Sequence, residues 1–308
     1  MRILVHRDSA SVHIVRLATW LVALCAITSG AAHAQLDSLA EARRIVDRGL
    51  APLDSSRRAI TQRLAGEQDV SNADSVFWNW YSAYRGLVDS LTARVNSPML
   101  EVLIDPLDAT GQMILRQRQQ PMPSSRSARQ LAVMDSMRAL FEAHGVHASE
   151  AEGDVEYTPA QARIQSEDGR FLSALSQRVL ELFVLEERKS VGGDAAIGIS
   201  WPELANRLAT ADDLHARHPM AAADSLVEGY YRVYLTAYLG DWDNTPGFAF
   251  RSPHLLLPAL RSSYARYIRD HPTTRSGRII EAYVALLRTH GWKRGPEVDA
   301  FIRSAPPS

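Results

Sequence analysis

The sequence predicts an all-α protein built from helical hairpins, with one short β-hairpin near 145–157. Three observations carry that prediction. Apolar side chains recur at three- and four-residue spacing through most of the 308 residues, which is the period of one helix face. Proline, glycine and small polar residues sit where helices start and stop. A unit is also used twice: a slide of 53 residues lays His218-Pro219 over His271-Pro272, Leu226 over Ile279, Val227 over Ile280, Glu228 over Glu281, Tyr230 over Tyr283, Val233 over Leu286 and Tyr234 over Leu287. Each copy reads as a helix, a His-Pro turn through which that helix cannot continue, and a second helix ending at Gly240 or Gly291.

At the amino terminus, Arg2, Arg7 and Arg16 precede an uncharged apolar run, Leu17–Ile27, followed by Ala32-His33-Ala34. That order is a secretory signal, with Gln35 the expected first mature residue, because an apolar run of about 11 residues is too short to span a bilayer. Its removal would leave 31 basic and 34 acidic side chains, a mildly acidic chain with no feature calling for nucleic acid. Cys25 is the only cysteine and leaves with the signal, so disulfides, thiol catalysis and cysteine metal ligation are excluded from the mature chain.

In chain order, Leu36, Leu39, Ile45, Val46 and Leu50 predict a first amphipathic helix broken near Gly49–Pro52, with Ile60 and Leu64 in a second segment. After a turn at Asp69–Ala73, a helix over Asp74–Val95 places Phe77, Tyr81, Tyr84, Val88 and Leu91 on one face. Met99–Leu115 is interrupted by Asp105-Pro106 and Gly111, and Arg116–Arg126 reads as an exposed linker. These boundaries divide the chain into a signal peptide at 1–34, a helical region at 35–125 and a carboxy-terminal domain at 126–308.

Leu131, Met134, Met137, Leu140 and Phe141 mark a helix closing at Gly145. Val146 and Ala148 could then pair with Val155 and Tyr157 as a hairpin. His144, His147, Glu150, Glu152, Asp154 and Glu156 invite a metal, but His-x-x-His alone is a weak ligand signal and no metal is assigned. Thr158-Pro159-Ala160-Gln161 and Ser200-Trp201-Pro202-Glu203 read as capping boxes, and Leu172, Leu175, Val179 and Leu182 as a helix reaching about Arg188. Ser190–Asp194 reads as a flexible loop. Its Gly192-Gly193-Asp194 lacks the lysine of a phosphate-binding loop.

Several landmarks resemble a family of uncharacterised bacterial exported proteins and lipoproteins. They are Glu152-Gly153 with Tyr157, Ile199-Ser200-Trp201 with Glu203-Leu204 and Arg207, the tyrosine-rich helix into Gly240, Asn244-Thr245-Pro246 with Phe248, and the second His-Pro unit. The resemblance covers roughly 140–302 and implies a shared helical domain, without an activity. The helix-turn-helix units look like tetratricopeptide-type repeats, although their 53-residue spacing departs from the usual period of about 34.

Catalytic signatures are missing: there is no Gly-x-Ser-x-Gly, no His-Glu-x-x-His and no Gly-x-Gly-x-x-Gly. Asp241-x-Asp243-x-Thr245 imitates a calcium loop, but Pro246 and Ser252 occupy the positions of its glycine and its last glutamate. No cofactor is therefore expected, and the leading reading is a non-enzymatic scaffold of the cell envelope that binds a protein or peptide. The candidate binding surface is Tyr231, Tyr234, Tyr238, Trp242 and Asn244, since Tyr238 lies over Gly291 and is not required by the repeat. The competing readings are an envelope hydrolase or lyase using carboxylates such as Glu152 and Glu203, and a small-ligand binder using the same aromatic residues.

Overall fold

A computed structural model describes residues 31–95, 128–151, 154–193, 196–217, 221–240, 242, 244–250 and 254–305. The signal run, the segment at Met99–Arg126 and the His218-Pro219 turn lie outside them. The chain is predominantly helical, with two small antiparallel strand pairs. Its contacts form two units: Met1–Arg57, Tyr84–Ser149 and Val155–Pro159 make one, and Arg58–Ala83, Glu150–Asp154 and Ala160–Ser308 the other.

Helix α1, Ala31–Ala65, runs on through Pro52, where the sequence predicted a break. The reason is visible in its buried stripe: Val46, Leu50, Leu53, Arg57, Ile60 and Leu64 keep one three-to-four spacing on both sides of the proline. An interior proline costs about 3 kcal/mol. Burying Leu50 and Leu53 completely offsets a cost of that size. Helix α2, Val70–Val95, starts earlier than its apolar pattern suggests. Asp69 caps the helix by accepting the Ser71 N–H at 2.9 Å, and the Glu67 carboxylate accepts the Gln68 and Asp69 N–H groups and fixes the turn before it.

In the first unit, helix α3, Ala128–Ala143, closes at Gly145, whose φ is +78°. Strands β1, Val146–Ala151, and β2, Asp154–Pro159, form the expected hairpin. Phe141 and Tyr157 pack with ring centroids 4.5 Å apart, and the Tyr84 hydroxyl donates to the Gly145 carbonyl at 3.1 Å.

The second unit continues with α4, Gln161–Asp168, a 3-10 turn at Gly169–Phe171, and α5, Ala174–Arg188. Here the predicted capping box fails. The N-cap is Ala160 with no side-chain bond, and the Glu187 carboxylate of α5 accepts the Gln161 and Ala162 N–H groups instead. A second carboxylate acts likewise at α5: Asp74 accepts the Ser173 N–H at 3.0 Å and its hydroxyl at 2.5 Å. Both place an anion at the positive end of a helix. Trp78, Tyr81 and Phe183 form an edge-packed aromatic group above this junction, with Trp78 Nε1 donating to Ser176 and the Tyr81 hydroxyl to Gln161.

Strands β3, Gly192–Gly193, and β4, Ala196–Ile197, pair two residues each where the sequence suggested only a flexible connection. The Trp242 ring lies so close to Gly192 that any side chain there would collide with it, and Thr245 Oγ1 accepts the Ile197 N–H at 2.9 Å.

Four helices follow as two hairpins: α6, Trp201–Arg217, with α7, Ala221–Tyr238, and α8, Pro258–Asp270, with α9, Arg275–Thr289. A last helix, α10, Pro296–Ser304, packs on α9 through Val298 and Ile302, and its Phe301 stacks on Tyr283. Helix α5 packs on α6 and α7, and α6 in turn on α8 and α9. Gly240 and Gly291 end the second helix of each hairpin at φ +89° and +61°.

Candidate functional site

The side chains expected to form a binding surface divide sharply. Tyr231, Tyr234 and Tyr238 are each 0% exposed, which corrects the surface reading of these three residues. Trp242 is half-buried against Gly192, and Asn244 is exposed. The two stripes of α7 exchange roles. Val227, Tyr231, Tyr234 and Tyr238 face the core, whereas Tyr230 is half-buried on Phe183 and Val233 is 43% exposed. The repeat match of Tyr230 with Tyr283 does not extend to burial, since Tyr283 is fully enclosed and Tyr230 is not. The hydroxyls of Tyr234 and Tyr267 and the ring of Tyr231 point into polar surroundings.

Those partners build two polar clusters. In the first, the Tyr234 hydroxyl donates to Glu186 Oε1 at 2.7 Å, and the same carboxylate takes the Arg207 guanidinium and the Val191 N–H. Arg207, 2% exposed, also donates to the Lys189 carbonyl at 2.8 Å and to Glu203 Oε1 at 2.7 Å. Lys189 Nζ completes the ring on Glu203 at 3.1 Å. Burial, and then the Glu186 charge, push the Tyr234 hydroxyl well above its ordinary value. Burial opposes ionisation of Glu203, but the hydrogen bonds from Arg207 and Lys189 prevail and hold it below the usual carboxylate range. A carboxylate so held is a poor proton donor.

The second cluster lies where the two hairpins meet. Asp212 of α6 accepts the Ser276 N–H at 2.8 Å and its hydroxyl, at the start of α9, and the Tyr267 hydroxyl pairs with Ser276 Oγ at 2.7 Å. Arg275 forks onto Glu228 at 3.0 and 3.3 Å and sits 4.5 Å over the Tyr231 ring. Arg232 Nε reaches the same carboxylate at 3.1 Å. His215 stacks on Tyr231, with Nδ1 2.6 Å from Asp224 and Nε2 3.5 Å from Glu228. Burial works against the Glu228 charge, yet the bonds from Arg275 and Arg232 keep it below its ordinary range. The Tyr231 hydroxyl is buried with no hydrogen-bond partner among the described residues.

In the first unit, His144 is clasped by two carboxylates of α1, with Nε2 2.8 Å from Asp47 and Nδ1 2.7 Å from Asp54. His147 pairs with Glu142 at 2.7 Å. Glu152 lies outside the described residues, as do the side chains of Glu150, Asp154 and Glu156. No group of three or more histidine, cysteine, aspartate or glutamate side chains among the described residues is arranged to hold a metal ion. Chemically, the two clusters of the second unit tie helices together through carboxylates that receive backbone N–H groups and guanidinium forks, and those of the first unit pair carboxylates with imidazoles. No helix among those described is long and apolar enough to cross a membrane. Against known proteins, no family model, no curated protein and no solved structure matches the chain.

Proposed function

We propose that the chain is an exported, non-enzymatic helical-hairpin protein of the cell envelope that works by binding a protein or peptide. The observation that carries this reading is the correspondence of the two hairpins. Helix α6 ends at Arg217 and α8 at Asp270, and the buried pairs Val227 with Ile280, Tyr231 with Val284, and Tyr234 with Leu287 recur at the same 53-residue offset. Stacked helical pairs of this kind, closed by a terminal helix such as α10, present extended outer surfaces suited to other chains. The tetratricopeptide-like character and the family resemblance are part of this proposal.

The carboxylates support the same reading over a hydrolase or lyase. Glu203, one of the two carboxylates named for acid–base work, is tied up by Arg207 and Lys189. Two experiments test the proposal. Protein recovered from its native envelope should begin at Gln35, and an intact Met1 would refute export. Immobilised mature protein should enrich specific sequences from a displayed octapeptide library; a library that emerges unenriched would remove the binding function.

A further inference from the structure

Helix α8 spends its apolar face inside. Leu260, Tyr264 and Tyr267 are buried, whereas Arg261, Ser262, Ala265, Arg266 and Arg269 are exposed. The thirteen-residue helix thus carries three arginines against one aspartate, within a chain of net charge −1. Arg269 pairs with Asp270, whose charge also feels Arg266, while Arg261, Arg266 and Lys293 make no ion pair of their own among the described residues. Arg261 lies 3.9 Å over the Trp292 ring, which holds the guanidinium flat at the surface.

An apolar foothold adjoins these cations. Phe250 is 79% exposed and Leu255 42%, the former much the most exposed large apolar side chain described. Leu255 belongs to a small ladder in which the Ala249 N–H donates to the Leu255 carbonyl at 2.9 Å and Leu255 pairs with Lys293, and Phe250 follows Ala249 in a bend just outside it. His254 and Trp292 hold positive φ values of 50° and 64°, fixed by the Leu256-to-Trp292 and Arg294-to-His254 hydrogen bonds. Backbone strain of this kind persists where surrounding structure imposes it. The ladder therefore presents Leu255 and Lys293 from a defined frame, with Phe250 one residue beyond its Ala249 bond.

We infer that this face, from Phe250 and Leu255 along the outer side of α8, docks an extended acidic peptide segment bearing one apolar anchor. The inference rests on the peptide-binding reading above and names its partner's chemistry. Arg261 and Arg266 lie about 7.5 Å apart along the axis at 1.5 Å per residue. An extended strand covers that in two to three residues at about 3.3 Å each. The partner would set its acidic residues over Arg261 and Arg266 and its apolar residue against Phe250. A peptide fits better than an anionic membrane, because the apolar face of α8 is already buried and cannot enter a bilayer.

The octapeptide selection decides the matter when it is repeated with Arg266→Glu and Phe250→Ala, both at exposed positions whose melting should stay at the wild-type value. Sequences enriched by the wild type should carry at least two Asp or Glu beside an apolar residue. The best synthetic peptide should lose at least tenfold in affinity to Arg266→Glu and should weaken with added salt. Enriched peptides without acidic residues, or affinities unchanged in both variants, would overturn the docking face while leaving a peptide-binding protein. Sedimentation with phosphatidylserine vesicles, without peptide enrichment, would overturn both.

Discussion

Two neighbouring tyrosines of α7 show how much a single hydroxyl decides. Tyr234 gives its proton to Glu186, and Tyr231 gives its own to no described residue. Removing a satisfied donor leaves Glu186 short of a partner, so Tyr234→Phe should cost about 1–3 kcal/mol. Tyr231→Phe removes an unsatisfied group and keeps the ring under Arg275, so it should be neutral or stabilising by about 1 kcal/mol. Urea unfolding of the two variants checks the pair, and equal losses would contradict the assignment. Gly277 is a second such point: a β-carbon there would collide with the His271 carbonyl across the α8–α9 turn. Gly277→Ala should therefore lower the melting temperature, whereas Gly295→Ala, with open space around it, should not on steric grounds.

Among elements, anions brought from elsewhere supply or reinforce helix starts. Glu187 caps α4, which has no side-chain cap of its own, whereas α5 and α9 carry the local caps Ser173 and Thr274 and are tied down further by Asp74 and Asp212. Asp212→Ala should cost about 1–3 kcal/mol even with the Thr274 cap in place, because the buried Ser276 N–H and hydroxyl lose their acceptor together. Hydrogen exchange should show faster opening at the start of α9; exchange confined to α6 would contradict the cap. This is also where legibility in the sequence ended. Helix periods, the hairpin after Gly145 and the stops at Gly240 and Gly291 are local signals, and they could be read. A cap supplied from another helix has no local signature. The Thr158-Pro159 motif looked sufficient for α4, and Pro52 looked sufficient to end α1, because neither the Glu187 contact nor the buried Leu50–Leu53 face is written beside them. The burial of Tyr231, Tyr234 and Tyr238 is likewise not written in α7 itself, because the groups that enclose them, Arg275, Glu186, Tyr264 and Tyr267, lie on other helices.

Over the whole molecule, buried phenols set the alkaline limit. Burial pushes Tyr157 up to about 12 and raises Tyr231, Tyr234, Tyr238, Tyr264 and Tyr267 as well. The folded state thus favours the neutral phenol. This stabilisation is complete below the ordinary tyrosine value near 10 and is lost as pH rises through the folded values. Tyrosinate absorbance should therefore appear together with loss of helical circular dichroism above about pH 10. Early titration of all ten tyrosines in a still-folded protein would contradict the burial. Glu203 and Glu228 act in the opposite direction, since their lowered values stabilise above the ordinary carboxylate range and that stability is lost on acidification.

Val227, Tyr231, Tyr234 and Tyr238 of α7 are core, so the proposed recognition would fall to the outer surfaces of the hairpins. Tyr238 is fully enclosed by Tyr264 and Tyr267, with its hydroxyl on Ser263 at 2.7 Å, while Tyr230 is only half-buried. Urea unfolding of Tyr238→Ala beside Tyr230→Ala tests this most directly. Tyr238→Ala should lose about 3–5 kcal/mol and Tyr230→Ala less than half as much. A mild Tyr238→Ala beside a severe Tyr230→Ala would place the core on the other stripe and contradict the account.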